Sequence, residues 1–439
     1  MNRSVLRLLA LMTLIVWGLG SVGLVADTKK KSTTKKSTTK KSTPKKSTSK
    51  KSTTKKVDES ITTYFSPTEK LLPALASQIL SAKKTIDIAM YSLSIEETRI
   101  AKPRKGRRDY KKRLAAYNAY KKNLAKGQIS VYDALWEIAR KGVKIRMVFH
   151  HAHLGAWKTF QSRQLERAKV DVRFTTRTMH EKFGLIDGKR LIVGSANWSH
   201  SAALIYNEYT SVFEGYDRLV DEFEKEFKHL WGLSRGYPVR KNEKKPTRVP
   251  AAPKGGKMGT GLEVYFSSSN AGKKRSTVLA DQIIDIIKGA KKSIRIGVAH
   301  FNYDKIGKAL IAAKKKNSKL DIRVLVDFGE YKNKNSYCDK LEKAGVPVRY
   351  KLYSLAYYHF KAQLQHHKFI VADGTDLACG SYNWSETAEL SNFENLMVFS
   401  GSKYKSLSGK FTKEFDRLWK MNRTAYAPFK KAMLSRKGS

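Results

Sequence analysis

The feature that most constrains this chain is an internal duplication, which extends over most of its 439 residues. The stretch HEKFGLIDGKRLIVGSANWS (180–199) returns as HHKFIVADGTDLACGSYNWS (366–385), with the same spacing of its His, Lys, Asp, Gly-Ser and Asn-Trp residues. Flanking segments recur in the same order, from TTYFSP and EVYFSS before the stretches to FEKEFKHLW and FTKEFDRLW after them. This self-similarity predicts two copies of one structural unit.

Each copy alternates short β-branched runs with helical patterns. VKIRMVF (143–149) and LDIRVLV (320–326) have the composition of buried strands, whereas TVLADQIIDIIKGAKK has helical spacing of its apolar residues. We therefore expect an α/β fold in which each repeat has a mixed β-sheet under helices.

Changes of composition predict the boundaries between segments. The N-terminal residues combine Arg3 and Arg7 with an uncharged apolar stretch (8–26), which is typical of a signal peptide or an N-terminal anchor. A Lys/Ser/Thr repeat of low complexity follows and predicts a disordered basic tether. The expected order is leader 1–26, tether 27–57, repeat 1 58–235, a linker rich in Pro, Gly and Lys 236–260, repeat 2 261–422 and a basic C-terminal tail 423–439.

The leader also predicts the location. A cleaved signal would export the protein to the periplasm or the medium, and an uncleaved one would anchor it in a membrane. The three lysines directly after the tether begins, 29–31, oppose easy transfer across a membrane.

Repeat 1 carries an insertion at about 98–128. Residues 101–128 contain eleven Lys or Arg, one Asp, and Tyr110, Tyr117 and Tyr120. Basic residues interleaved with aromatic rings suit a surface that follows a nucleic-acid backbone and stacks unpaired bases. The alternative is a solvated helix whose tyrosines pack on the domain.

The charge is high even without the tether. The chain has 87 Lys and Arg against 38 Asp and Glu, a net charge of +49. Leaving out Arg3, Arg7 and the thirteen Lys and one Asp of 27–56 still gives 72 basic and 37 acidic residues, a net charge of +35. The body should therefore attract polyanions such as nucleic acid or an anionic membrane surface.

Cysteine usage excludes two kinds of protein. Cys338 and Cys379 are the only cysteines, so neither a disulfide framework nor a thiolate zinc site is available. A single bridge between the two stays open, although the apolar run LACG favours a buried thiol at Cys379.

The repeated stretch carries groups that act on phosphate. An imidazole at His180 or His366 can be a nucleophile or a general acid and base. Ammonium and amide donors can hold phosphate oxygens and the extra charge of the transition state. These donors are Lys182, Asn197, Lys368 and Asn383, with the hydroxyls of Ser195 and Ser381 beside them.

Carboxylates follow at fixed distances. Glu208 and Glu394 each lie 28 residues after the histidine of their repeat, and either could fix the tautomer of an imidazole. Asp187 and Asp373 begin the turns DGK and DGT, which predicts turn and hydrogen-bond roles for them.

A metal site is the alternative for these histidines. His366, His367 and Asp373 could be ligands, as could the HHAH run that begins at His150. A lysine fixed in each set opposes this, because an ammonium repels a divalent cation and coordinates nothing. We therefore expect no metal and no cofactor.

Both stretches match HxKxxxxDxxxxxxGSxxN, so the chain resembles the phospholipase D superfamily, most closely its compact nuclease or cardiolipin-hydrolase-like branch. The resemblance implies a pseudo-twofold pair of repeats with one shared cleft, and a metal-independent phosphodiesterase with a phosphohistidine intermediate. By this analogy His180 is the nucleophile and His366 the acid, although the order could be reversed. The catalytic set would be His180, Lys182, Asp187, His366, Lys368 and Asp373. The phosphate-binding or supporting set would be Ser195, Asn197, Ser381, Asn383, Glu208 and Glu394.

The substrate is less constrained than the chemistry. The basic body and insertion favour a nuclease acting on DNA or RNA. The alternative is a phospholipase D that acts on phospholipid headgroups or cardiolipin at an anionic membrane. A non-catalytic polyanion-binding protein would be expected to lack a His or Lys in one copy, and both copies are complete. With both motifs in one chain, a monomer is expected.

Overall fold

The computed structural model describes most of the two repeats. The described residues are 58–94, 102–106, 108–151, 165, 167–175, 177–236, 248–270, 277–351 and 364–435. The expected leader and tether therefore lie outside the described residues. Lys56–Ser439 is one compact unit.

Repeat 1 builds an eight-stranded mixed sheet. Its strands are β1 (Ser60–Ser66), β2 (Thr85–Met90), β4 (Lys144–His150), β5 (Asp171–Thr175), β6 (Lys182–Ile186), β7 (Arg190–Gly194), β9 (Glu208–Glu214) and β10 (Arg235–Gly236). The order across the sheet is β1-β9-β7-β6-β2-β4-β5-β10. β2, β4 and β5 are parallel and the other pairs are antiparallel. β3 (Leu93–Ser94) and β8 (Trp198–Ser199) form a separate two-stranded parallel ladder in the same repeat.

Repeat 2 builds a second sheet of eight strands. They are β11 (Gly256–Gly259), β12 (Leu262–Phe266), β13 (Ser293–Val298), β14 (Asp321–Val326), β15 (Val348–Tyr350), β16 (Lys368–Ala372), β17 (Asp376–Gly380) and β18 (Asn395–Phe399). Their order is β11-β12-β18-β17-β16-β13-β14-β15. From β12 onwards it repeats the order of repeat 1, so the duplication seen in the sequence is also a duplication of topology.

Helices cover both faces of each sheet. They are α1 (Leu71–Leu80), α2 (Tyr110–Ala125), α3 (Val131–Arg140), α4 (His200–Leu204), α5 (Asp217–Leu233), α6 (Val278–Gly289), α7 (Asp304–Lys316), α8 (Gly329–Lys332), α9 (Cys338–Lys343), α10 (Glu386–Leu390) and α11 (Lys405–Ser435). Central strands such as β6 and β16 are buried at every position. Continuous apolar strands of this kind are expected where a sheet has no solvent face.

The central core contains residues of both repeats. α5 and α11 contribute phenylalanines to it, and their rings contact strands of the other repeat: Phe223 lies 5.0 Å from Phe266, and Phe411 lies 5.2 Å from Phe65, between ring centroids. On the outer faces, α1 and α3 pack on sheet 1, and α6 and α7 pack on sheet 2. The expected α/β class with two mixed sheets under helices is confirmed.

The structure also bears on the expected linker, the expected C-terminal tail and the two cysteines. The segment 236–260 contributes β10 and β11 to the two sheets, so its ends are paired strands. α11 continues to Ser435, through most of the expected tail. Cys338 and Cys379 are buried free thiols, so no bridge joins them. In the part of the chain that the structure describes, no helix is long and apolar enough to span a membrane.

Candidate active site

The two signature stretches enter the site by pairing with the opposite repeat. The backbone N–H of His180 donates to the carbonyl of Phe393 at 3.0 Å, and that of His366 donates to the carbonyl of Asn207 at 3.0 Å. The residues that carry these carbonyls directly precede Glu394 and Glu208 in the chain. The backbone of each repeat therefore holds the histidine of the other.

The two imidazoles face each other across the junction of the repeats. The ring centroids of His180 and His366 are 6.4 Å apart, with an angle of 81° between the ring planes. Their side chains are 12% and 14% exposed. A phosphoryl group between the rings could meet one nitrogen from each side.

Each histidine is bound to the glutamate of the other repeat. His180 Nδ1 lies 2.8 Å from Glu394 Oε1 and 3.0 Å from Oε2, and His366 Nδ1 lies 2.8 Å from Glu208 Oε1. A carboxylate on Nδ1 favours the tautomer that carries its proton there and leaves Nε2 with a free lone pair. The 28-residue spacing is the same within both repeats, so it could not reveal this exchange.

The two carboxylates differ in their surroundings. Glu394 also accepts from Ser381 Oγ at 2.6 Å and from Asn392 Nδ2 at 3.1 Å. Burial raises the pKa of Glu394, but His180, Lys182 and Ser381 together bring it below its usual value. Burial raises the pKa of Glu208 to about 8, in spite of Lys368 and Lys182. The pair His180–Glu394 thus has the more anionic carboxylate.

The lysines are buried at the starts of β6 and β16. Lys182 Nζ donates to the carbonyl of His180, and Lys368 Nζ donates to that of His366 at 2.5 Å. Burial lowers the pKa of Lys182 to about 8 and that of Lys368 to about 7, although the two glutamates oppose this. A bound anion would favour the charged form of both lysines.

Asn197 and Asn383 lie in the short segments before α4 and α10, and serine side chains cap the N-termini of these two helices. The tryptophans that follow them, Trp198 and Trp384, are almost fully buried and anchor the segments in the two outer cores. Both asparagines have a buried Oδ1 with no partner among the described residues. Because an amide oxygen only accepts hydrogen bonds, either asparagine would have to hold a phosphate oxygen through its Nδ2 donor. Sequence reasoning gave the tryptophans no role.

The serines of the signature support the strands and the glutamates. Ser195 Oγ accepts from the N–H of Tyr209 at 3.1 Å, and Ser381 Oγ accepts from that of Asn395 at 3.0 Å. Both serines are fully buried. They fit a supporting position under the glutamates and not a direct contact with phosphate.

Asp187 and Asp373 lie outside the cluster of reactive groups. Each follows the far end of the strand that begins with the signature lysine, about 17 Å along β6 or β16. Asp187 accepts from the N–H groups of Lys83, Lys84 and Thr85 at 2.6–2.9 Å. Asp373 does the same with residues 291–293, and both aspartates have positive φ, 54° and 52°. These contacts agree with the turn roles predicted from DGK and DGT, and a catalytic role for the two aspartates stays a prediction.

The tyrosines of the insertion were one hypothesis for stacking on unpaired bases, and the structure places one of them in the core. Tyr120 is 5% exposed and its hydroxyl donates to Glu137 at 3.0 Å. Tyr110 and Tyr117 are half-buried. Tyr120 is part of the outer core, so it is not available to stack on bases.

Aromatic residues at the rim were not predicted. The ring of Tyr91 lies 5.3 Å from that of His180 and 5.2 Å from that of His150, with which it is stacked. Tyr206 lies 6.4 Å from His366. The only signal in the sequence was the place of these residues at the ends of adjacent parallel strands: Tyr91 directly follows β2, and His150 is the last residue of β4.

Among the described residues, no three His, Cys, Asp or Glu side chains are grouped to hold a metal ion.

Comparison with known proteins shows the family to which the chain belongs. The family described as "Cardiolipin synthase, PLD-like domain" matches residues 120–231 and 283–419, more than half of the chain. The chain therefore belongs to the phospholipase D superfamily.

The chain is similar to relatives whose names give different activities. A mitochondrial cardiolipin hydrolase of Chlamydomonas reinhardtii is 30% identical over 140 residues, 32% of this chain and 57% of that protein. The 5'-3' exonuclease PLD4 of Mus musculus is 24% identical over 251 residues, 49% of this chain and 48% of that protein. The chain thus matches about half the length of these curated relatives.

Among solved structures, the phosphatidylserine synthase of Haemophilus influenzae Rd KW20 has the same fold. The TM-score is 0.52 at 14% sequence identity, with 81% of this chain and 85% of that chain covered. At this identity the likeness concerns the fold alone.

Proposed function

We propose that this enzyme is a metal-independent nuclease that hydrolyses phosphodiester bonds through a phosphohistidine on His180. The observation that carries the chemistry is the facing pair of imidazoles, 6.4 Å apart, each with a glutamate on Nδ1. Lys182 and Lys368 donate to the carbonyls of these histidines, and in the proposed mechanism they and the two signature asparagines take the charge of the phosphoryl oxygens.

In the first step His180 Nε2 attacks phosphorus and forms a P–N bond. The P–O bond to the leaving group breaks, and His366 as imidazolium gives its proton to the departing oxygen. In the empty site burial, Lys368 and Lys182 lower the pKa of His366. The negative charge of the bound diester opposes this effect and favours the imidazolium.

In the second step the neutral His366 removes a proton from water. The water oxygen attacks phosphorus, the P–N bond breaks, and His180 returns to its neutral form. Both histidines thus complete the cycle in their starting protonation states.

The surroundings of Glu394 support His180 as the nucleophile. Phosphorylation of Nε2 leaves a positive charge on the imidazole that still carries its Nδ1 proton. Glu394, whose pKa is below its usual value, can balance this charge better than Glu208, whose pKa is about 8. This difference supports His180 over His366 as the nucleophile, a choice that the two matching signatures leave open.

The charge of the body supports nucleic acid as the substrate. Residues 57–439 carry a net charge of +35, and a polymer with one phosphate per nucleotide can contact many of these cations at once and release its own counterions. The similarity to the 5'-3' exonuclease PLD4 of Mus musculus is consistent with this substrate.

Phospholipid is the second candidate, and the comparisons favour it specifically. The matching family is described as a cardiolipin synthase domain, and several relatives are named mitochondrial cardiolipin hydrolases. Cardiolipin is also a phosphodiester, so the same histidines could act on it.

The deciding experiment offers all substrates without metal. Protein that begins at Lys56 is incubated in EDTA with plasmid DNA, single-stranded RNA, and vesicles of cardiolipin or phosphatidylcholine. We expect cleavage of nucleic acid, and a loss of about 10⁴-fold or more in His180→Ala and in His366→Ala. Cleavage of lipid alone would contradict the nuclease, and strict dependence on added metal would contradict the mechanism.

A trapping experiment identifies the nucleophile. Reaction with a labelled oligonucleotide is stopped at alkaline pH, and peptides are mapped by mass spectrometry. We expect the adduct on the peptide with His180, with more of it in His366→Ala. An adduct on His366 in the unsubstituted enzyme would reverse the assignment.

A further inference from the structure

The insertion in repeat 1 forms a helix with one apolar side. Leu114, Tyr117, Tyr120 and Leu124 recur at helical spacing on α2 and are buried or half-buried, and Tyr120 and Leu124 belong to the outer core under α1 and α3. Apart from Tyr110, which is half-buried, the other positions of α2 are exposed. A narrow apolar stripe therefore fixes the helix to the domain and leaves the rest of its surface free.

The free surface carries nine exposed cations, which we name the basic insertion surface. They are Lys102, Arg104, Lys105, Arg108, Lys111, Lys112, Lys121, Lys122 and Lys126. The nearby Asp109 already pairs with Arg113. Within the described ranges, none of the nine forms an ion pair. Unpaired like charges at this density repel one another, so the surface is suited to a partner that brings negative charge.

The dimensions of this surface fit a polymer. From Lys111 to Lys122 the helix rises by about 16 Å, a length of double helix that carries about nine phosphate charges. Several of these lysines could therefore contact the backbone of one polymer at the same time. Exposed lysines are also typical of contacts to phosphate that do not depend on base sequence.

The surface belongs to repeat 1 alone and lies outside the cleft. Ile86 and Ile145 on adjacent strands are separated by 59 positions, and their counterparts Ile294 and Ile322 by 28. α2 packs in the outer helical layer, whereas His180 and His366 lie where the two repeats meet. The reaction itself does not need the insertion, since repeat 2 builds its half of the site without one.

We propose that the basic insertion surface is a second binding site for nucleic acid, which holds the sugar–phosphate backbone of long substrates outside the cleft. This rests on the proposed nuclease function for its biological use, but the binding can be measured independently of cleavage. Small diesters that reach only the cleft would gain nothing from this surface.

The test compares two sets of four substitutions. The first combines Lys111→Gln, Lys112→Gln, Lys121→Gln and Lys122→Gln. The control combines Lys305→Gln, Lys315→Gln, Lys316→Gln and Lys319→Gln, which remove the same charge from exposed positions on or just after α7. Binding of a fluorescein-labelled 40-nucleotide DNA is measured in a His180→Ala background from 50 to 300 mM NaCl. Cleavage of long DNA and of bis(p-nitrophenyl) phosphate is measured with His180 intact.

We expect the first set to lower the slope of log K against log salt by about 3, since each phosphate contact contributes about 0.7 for single strands. Affinity at 100 mM NaCl should fall at least tenfold, and hydrolysis of the small diester should be unchanged. The control should change the slope by less than about 1.

Three results would overturn the proposal. An unchanged slope means that the surface does not bind DNA, and equal losses in both sets mean that only total charge matters. Loss of binding to cardiolipin vesicles with unchanged DNA binding assigns the surface to a membrane. If the enzyme cleaves only lipid while the first set still loses DNA binding, the proposed function fails and the binding site stands.

Discussion

Asp187 belongs to the same sequence signature as His180 and Lys182. Its carboxylate, however, accepts hydrogen bonds from three backbone N–H groups at the start of β2. These hydrogen bonds join the turn after β6 to the adjacent strand. They lower the pKa of Asp187, although partial burial alone would raise it. We therefore expect the residue to act on the geometry of the sheet and not on phosphate.

We predict that Asp187→Asn lowers stability and leaves turnover intact. The amide keeps one acceptor oxygen and tolerates the positive φ, but its Nδ2 faces donors, so the loss should be about 1–2 kcal/mol. Thermal melting and kcat on bis(p-nitrophenyl) phosphate measure the two effects.

Glu394→Gln is the matched comparison for this prediction. It changes a carboxylate that binds His180 directly, so kcat should fall by about 10²-fold or more. A similar fall in kcat for Asp187→Asn at unchanged melting temperature would show that the aspartate is catalytic after all.

Among the elements, β7 and β17 depend on the glycines that end them. A Cβ at Gly194 would lie 2.2 Å from the carbonyl of Tyr209, and one at Gly380 would lie 2.1 Å from that of Asn395. The close approach allows Ser195 and Ser381 to pair with β9 and β18 next to the glutamates. The Gly-Ser pair of the signature is thus a requirement of strand packing.

We predict that Gly194→Ala destabilises the protein by about 1–3 kcal/mol, because the backbone of β9 must move away. Activity should fall as well, since Glu208 begins that strand. The control is Gly409→Ala in α11, where a Cβ would meet nothing within 4 Å. That change should stabilise the helix by about 0.5–1 kcal/mol. Urea denaturation of both variants measures this, and equal effects would contradict the account.

The elements show which parts of the structure were predictable from sequence. Strands such as β2 and β14, and their repeated order, follow from local apolar patterns that occur twice. β11 was missed because Gly256–Gly259 has no strand pattern and pairs only at the edge of the sheet. The exchange of Glu208 and Glu394 between histidines depends on how the repeats pack, and identical spacings contain no information about it.

For the whole molecule, the two repeats share an interior that contains buried acids. Glu226 on α5 is fully buried and accepts from Ser268 Oγ of repeat 2 at 2.6 Å. Glu181, next to His180, is also fully buried, and the proximity of Glu226 contributes to raising its pKa. In repeat 2 the corresponding positions hold His367 and Glu414, 3.5 Å apart, which can balance each other's charge. The repeat 1 pair can avoid two buried negative charges only by retaining protons.

We predict that alkaline pH weakens this shared interior and that Glu226→Gln removes part of the effect. Burial raises the pKa of Glu226 from 4.5 to about 8, so the folded state binds more protons than the unfolded state between these values. Stability from this group is therefore complete below pH 4.5 and is lost as the pH rises towards 8, by up to about 1.4 kcal/mol per pH unit. Glutamine is neutral at every pH and has nearly the same size. The melting temperature of Glu226→Gln relative to the unsubstituted protein should rise between pH 5 and pH 9, whereas Asp221→Asn, an exposed charge on the same helix, should give no such trend. A constant difference for Glu226→Gln across this range would mean that Glu226 is ionised in the folded protein.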